Sequence, residues 1–321
     1  MRNILIASLI LHCSLCAAQC ISNFPHTQDF EATNGNWVSG GTASDWAWGA
    51  VSKTVIAQAA SGSNCWVTGG LTASFYNLGE SSYLQSPCFN LSTLINPVIS
   101  FNVYWETEKG YDGATFQSSV DGGTTWQNVG SSSDIDDCIT QNWFNASGIN
   151  YLNGLASPRE GWAGNVQSTS GSCQGGNGSN GWKKAQHCIK NLAGQPNVIF
   201  RFAFGAGTQC NNYDGFAIDD FTIEEAPLYL IDYTYTCNGN SFDFTSTHNL
   251  CPTVFNWNFG DGATATGSSV SHTYTNPGNY DVTFVVSGNC FTPVTIVKQI
   301  QTVQITTGST SETCNGANNG K

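Results

Sequence analysis

Positive charge is scarce in this sequence: lysine and arginine together number 10 in 321 residues, against 22 aspartates and glutamates. A formal net charge of -12 offers no basic field to gather phosphates, which excludes nucleic acid as a partner. Charged residues of both signs are only 10% of the chain, so its polar surface must come from Ser, Thr and Asn. Long apolar runs are also missing, apart from residues 4–18, ILIASLILHCSLCAA. That run is too short and too near the start for a membrane span. Arg2 precedes it, and Cys16 and Ala18 stand three residues and one residue before a cut at Gln19. Residues 1–18 therefore read as an export signal. Gln19 beside Cys20 argues against a lipid-attachment site. The mature chain is expected to be secreted or at the cell surface, with no membrane span.

Catalytic signatures are absent too. None of the five histidines belongs to a His-Glu-x-x-His motif, and there is no Gly-x-Ser-x-Gly elbow or phosphate-binding loop. Asp219 and Asp220 could in principle do glycosidase work. As neighbours on a strand, however, they are expected on opposite faces, unable to flank one bond. Of 13 cysteines, Cys13 and Cys16 fall in the export signal, and the remaining eleven contain no Cys-x-x-Cys. A zinc ribbon is excluded, and disulfides formed in an oxidising compartment are the better account. Eleven is odd, so at least one thiol lacks a partner inside the chain. The chain reads as no enzyme.

What is present is period-two alternation. PVISFNVYWET (97–107) sets Ile99, Phe101, Val103 and Trp105 on one face. NVIFRFAFG (197–205) does so with Val198, Phe200, Phe202 and Phe204, and NYDVTFVVSG (279–288) with Tyr280, Val282, Phe284 and Val286. Such strands between Gly/Asn/Ser turns predict an all-β protein of antiparallel sandwiches. EEAPLYLIDY (224–233) carries Pro227 and marks a boundary. The expected organisation is a large sandwich over 20–226, a smaller Ig-like one over 229–303, and a linker or further repeat over 304–321. AGNVQSTSGSCQGGNGSNG (163–181) reads as a long surface loop that Cys173 can staple.

Several stretches resemble known families. Trp257-Asn-Phe259-Gly260-Asp261-Gly262, followed by VSHTYTNPGNYDVTF (270–284), resembles a PKD domain, an Ig-like sandwich. Trp257 and Phe259 would alternate into its core and Gly260-Asp261-Gly262 make a tight turn. FPHTQDFE (24–31), GYDGATFQSSVDGGTTW (110–126), NLAGQPNVIFRFAFG (191–205) and DGFAIDDFTI (214–223) resemble, in order, the MAM-like jelly-roll modules of exported bacterial proteins. Within them Ser119-x-Asp121-x-Gly123-x-Thr125-Trp126 resembles the Asp-box of sialidases. A sialidase would carry several copies on propeller blades, together with an arginine cluster. With one copy and few basic residues, the box reads as a hairpin clasp. Thr313-Cys314 through Gly320 resembles the opening of an SprB-type adhesin repeat, which would make the chain a fragment, with Cys314 paired further on.

The jelly-roll resemblance implies a structural calcium between the first and last strands, with Glu31 and Asp219 or Asp220 as carboxylate ligands. Solvation of Glu31 and Asp29 at a strand end is the competing account. SDWAWGA (44–50) and NYDGF (212–216) offer Trp46, Trp48 and Tyr213 as a sugar platform, although aromatics at strand ends commonly cap a sandwich core. His272 is read as a structural ring of the smaller domain. Cys251 and Cys290 are a candidate pair there, with Cys237 competing. The function expected is a non-catalytic exported adhesion or scaffold protein that binds extracellular protein or polysaccharide. The alternative is the accessory region of a secreted hydrolase whose catalytic domain lies outside this chain.

Overall fold

A computed structural model describes residues 19–302, apart from 73–74, 228–229, 250–251 and 289–290. Residues 1–18, expected to be an export signal, the 304–321 segment, and Cys251, Cys290 and Cys314 lie outside the described residues. The fold is all-β, and its described helix consists of two single 3-10 turns, Asn150–Leu152 and Lys190–Leu192.

Up to Glu225 the chain forms a jelly-roll sandwich of two antiparallel sheets. One orders β11 (Lys183–Cys188), β6 (Pro97–Glu106), β13 (Gly215–Glu225), β4 (Asn64–Val67) and β3 (Ala47–Ala50), with β1 (His26–Gln28) also on β13. The other orders β2 (Val38–Thr42), β5 (Ser81–Phe89), β12 (Val198–Gly205), β7 (Gly113–Ser119) and β8 (Gln127–Asn128). A small hairpin pairs β9 (Ala146–Ser147) with β10 (Glu160–Gly161).

Aromatic rings fill the space between the sheets. Phe200, Phe202 and Phe204 alternate inward from β12, and Phe101 from β6 meets Phe116 and Phe202 at ring centroids of 4.9 Å. Burying each ring stabilises by roughly 1.5–3 kcal/mol. The alternation in β6 foretold one buried face, yet Val98, Tyr104 and Glu106 on the other face are buried as well. Val98 packs with Cys188 and Ala226, and Tyr104 is covered by the 51–60 loop. Its Val51, Ile56 and Ala59 form a satellite core with Tyr104 and Ala217.

Two sequence expectations are corrected here. Trp46 and Tyr213 are 7% and 2% exposed, so they cap the core and offer no sugar platform. Trp46 donates its Nε1–H to Ser82 Oγ at 3.1 Å, and half-buried Trp48 donates to the Phe30 carbonyl at 2.8 Å. Asp219 and Asp220 do not point to opposite faces either. The β13 register shifts between Asp219 and Thr222, and Asp220 takes a φ of 52°, a β-bulge conformation. The bulge cancels the pleat alternation and turns both carboxylates onto the 60–64 loop.

Beyond Glu225 a second, Ig-like sandwich begins. One sheet orders β14 (Ile231–Asn238), β15 (Ser241–His248) and β18 (Ser269–Thr273). The other orders β17 (Thr264–Thr266), β16 (Val254–Asn258), β19 (Gly278–Gly288) and β20 (Phe291–Thr302). Trp257 stacks on Phe284 at 4.0 Å in the core. The turn after it is locked from both ends. Asp261 accepts from the Ala263 amide at 3.0 Å and meets His272 Nε2 at 2.8 Å, while the His272 ring stacks on Phe259. Gly260 has a φ of 83°, and a Cβ there would sit 2.9 Å from the Asp281 carbonyl oxygen. Only glycine fits.

Disulfides join Cys20 to Cys88 and Cys173 to Cys210, the second stapling the 163–181 loop. Cys138, Cys188 and Cys237 are also disulfide-bonded. Cys65 is a buried free thiol, pushed up in pKa by burial.

Candidate functional site

The Asp-box hairpin joins β7 to β8, and its side chains replace missing backbone partners in the turn. The Ser119 hydroxyl donates to Asp121 Oδ1 at 2.7 Å and accepts the Gly123 amide at 2.9 Å. Asp121 also accepts the amides of Thr124 and Thr125, and the Thr125 hydroxyl at 2.6 Å. Bonding by the Thr125 hydroxyl and amide and by Ser119 holds the Asp121 carboxyl down at about 2. Trp126 closes the clasp by donating its indole N–H to the Gly123 carbonyl at 3.0 Å.

That clasp sets Trp126 beside β12. The Arg201 guanidinium lies 4.1 Å from the Trp126 ring centroid and 5.8 Å from that of Tyr83. Its Nε–H donates to Oε1 of its cross-strand partner Gln117 at 2.8 Å. Gln117 is 1% exposed and donates in turn to Asn128 and to the Leu155 carbonyl. Asn128 reaches the Pro158 carbonyl at 2.8 Å, so the 155–158 segment is strapped over the sheet. Between strap, hairpin and β12 opens a cleft of ≈ 820 Å³, lined by Trp126, Arg201, Gln127, Asn153 and Arg159 among others. Burial lowers Arg201 to about 10, so it stays charged at neutral pH, helped by the indole face. Its sequence signal is that Arg201 is the one cation in an otherwise phenylalanine-rich strand.

The residues expected to hold calcium gather elsewhere, around the 60–64 loop. Glu31 Oε1 accepts the amides of Ser63 and Asn64. Asp219 Oδ2 accepts those of Ala60 and Ser61, and Asp220 accepts from the Ser61 hydroxyl and the Asn102 amide. Gly62 admits Glu31 so closely that a Cβ would lie 2.3 Å from its carboxyl carbon. Burial raises Asp219 to about 7. A carboxylate oxygen that accepts an N–H keeps a lone pair, so this donor set suits a hard cation in kind. One cluster of metal-type atoms closes up among the described residues, Glu108 with Cys173 and Cys210, but the disulfide there removes both thiolates.

Buried acids crowd one end of the sandwich without forming a reaction centre. Glu80, 2% exposed, accepts from Ser82 through one carboxyl oxygen; burial, then the Asp45 charge, push it up to about 9. Asp112, fully buried, accepts from Tyr76 at 2.6 Å and is raised by burial to about 7. No substrate reaches either. His187 has both ring nitrogens engaged, by Asp134 and by the Cys188 carbonyl. His272 is a strut of the PKD-like turn. Among the described residues neither histidine is bonded to a serine or cysteine nucleophile.

No curated protein matches the chain. Solved structures similar to parts of it include the K1 cleaved adhesin domain of Lys-gingipain from Porphyromonas gingivalis. It is 15% identical, with 64% of this chain and 100% of that one covered at a TM-score of 0.36. Another is the CBM22-1 xylan-binding domain of Paenibacillus barcinonensis Xyn10C, 12% identical, with coverage of 65% and 100% and a TM-score of 0.32. The PKD1 domain of Vibrio anguillarum Epp is 20% identical, with coverage of 24% and 96% and a TM-score of 0.23. Residues 225–306 match the family model of the PKD domain, and the Trp257–Gly262 turn, its His272 strut and the β19 strand all lie within that span.

Proposed function

We propose that this chain is a non-catalytic binding protein of the cell exterior, exported by its first 18 residues. Its jelly-roll sandwich would hold an extracellular polysaccharide or protein, with the PKD domain as spacer. The observation that carries this reading is the Asp-box cleft. An aromatic ring, two guanidinium groups and side-chain amides converge there, and the lining has no histidine, cysteine or carboxylate that could act as a base for its one hydroxyl, Ser157. Such a lining can hold a ligand by stacking and hydrogen bonds but has no activated nucleophile. The test is retention of the mature chain on arrays of glycans and extracellular proteins, beside Trp126→Ala and Asn153→Ala. Retention lowered in both variants is expected. Retention unchanged in both, or cleavage of any captured ligand, would overturn the reading.

A structural calcium held by Glu31, Asp219 and Asp220 accompanies this proposal, supported by their convergence on one loop. The ion would neutralise a cluster to which no described lysine or arginine is salt-bridged. Binding the folded state alone, it would stabilise by about 2.7 kcal/mol at roughly a hundredfold excess over its dissociation constant. A melting temperature that falls on chelation in wild type, and less in Glu31→Ala, is expected. Equal melting of wild type in calcium and in chelator refutes the site.

A further inference from the structure

The sequence holds three arginines: Arg2, Arg159 and Arg201. Both of those outside the export signal line the same cleft, and none of its lining residues is acidic. This is unexpected in a chain with 22 acidic residues, where a structural arginine would readily find one. The described ion pairs are His187–Asp134, His272–Asp261 and Lys298–Asp232, and neither arginine joins them. Arg201 gives its Nε–H to a neutral amide, and its terminal nitrogens have no hydrogen-bond partner among the described residues. Arg159 reaches only Asn150, at 3.4 Å.

A half-buried guanidinium without a carboxylate is a costly arrangement unless something else supplies the anion. Its planar fork suits a carboxylate, which it can bind through two parallel hydrogen bonds. The surrounding groups narrow the class. Gln127 and Asn153 are exposed amides on the cleft wall, able to donate to and accept from hydroxyl groups. Trp126 adds an aromatic edge. A carboxylate set among hydroxyls describes a sugar acid better than a peptide, whose side chains would want an apolar lining.

Resting on the reading of this cleft as the binding site, we propose that it takes a uronate residue of an acidic polysaccharide, clamped by Arg201 and Arg159. Recognition must be local, since the net charge of the chain repels polyanions at long range. A generic polyanion should therefore be a poor ligand.

The test is calorimetric titration of the mature chain with oligogalacturonate, its methyl ester, dextran sulfate and polyglutamate. The ester keeps the sugar and removes the charge. Binding of oligogalacturonate alone is expected, weakened about tenfold or more by Arg201→Gln and partly restored in Arg201→Lys. Arg159→Gln lies on the strap and keeps the test open should Arg201→Gln fail to fold; it too should weaken binding. Equal affinity for the ester, equal or better binding of polyglutamate or dextran sulfate, or indifference to both arginine variants would overturn the proposal. A neutral glycan held through Trp126 and Asn153 would refute the uronate and leave the binding reading standing. Absence of any ligand on the arrays would sink both.

Discussion

Replacing Glu80 by glutamine should stabilise the protein at neutral pH and leave it unchanged in mild acid. In the fold Glu80 keeps its proton up to about 9, against an ordinary value of 4.5. Between those values the folded chain holds a proton that the unfolded chain has released. The contribution of Glu80 is therefore full below about pH 4.5, declines by about 1.4 kcal/mol per pH unit as pH rises, and is gone above about 9. Taking wild type from pH 7 to pH 4.5 recovers about 3 kcal/mol from this group. Asp112, raised to about 7, adds a slope of the same sign between about pH 4 and 7. A glutamine at position 80 keeps the bond from Ser82 through its oxygen and is neutral at every pH, with no proton uptake. Glu80→Gln should thus match wild type at pH 4.5 and exceed it by up to about 3 kcal/mol at pH 7. Urea unfolding followed by tryptophan fluorescence, at fixed calcium from pH 4.5 to 9, reads the difference directly. Two parallel stability curves would refute the reasoning, because they would mean that Glu80 is ionised in the folded protein.

Asp121 should show the opposite dependence. Its folded carboxyl is held down at about 2, so its contribution is present above the ordinary value of 3.8 and lost as pH falls through about 2. Asp121→Ala should melt below wild type at pH 6 by a margin that shrinks as pH falls towards 2, and a margin unchanged between pH 6 and pH 2 would contradict the assignment. Wild-type protein should release no sialic acid from glycoproteins; turnover abolished by Asp121→Ala would reverse the structural reading of the box. Thiol labelling of the native mature chain should leave Cys65 unmodified until denaturant is added. A majority of thiols reactive in native protein would sink the disulfide account.

The alternation of Phe200, Phe202 and Phe204, or of Val282, Phe284 and Val286, placed the core correctly because a strand's period is local information. The Trp257–Gly262 turn was legible for the same reason: each member acts within a few residues of the others, His272 excepted. What the sequence hid depends on distant segments. The burial of Tyr104 on the second face of β6 needs the 51–60 loop, more than forty residues earlier, to fold over it. The shared direction of Asp219 and Asp220 needs a bulge that puts a non-glycine residue at positive φ, which no residue pattern announces. For Trp46 and Tyr213 the sequence leaves a sugar platform and a core cap both open, because aromatics beside Asn and Asp look alike in either place; their burial decides for the cap. Arg201 was passed over because its meaning comes from Trp126 and Arg159, which only the cross-strand pairing and the strap bring near.

The Cys20–Cys88 disulfide carries a mechanical consequence. A pull applied at Cys20 passes through that sulfur bridge to Cys88, at the end of β5. Residues 21–87 form a slack bight between the two cysteines and bear no load. Glu31, the 60–64 loop and the Glu80–Asp45 pair all lie inside that bight, so tension on a tethered molecule would leave them undisturbed while the bridge is intact. Reduction would load the hydrogen bonds of Ile21 to Cys88 and Asn90 first, and the pairing of β1 with β13 after them.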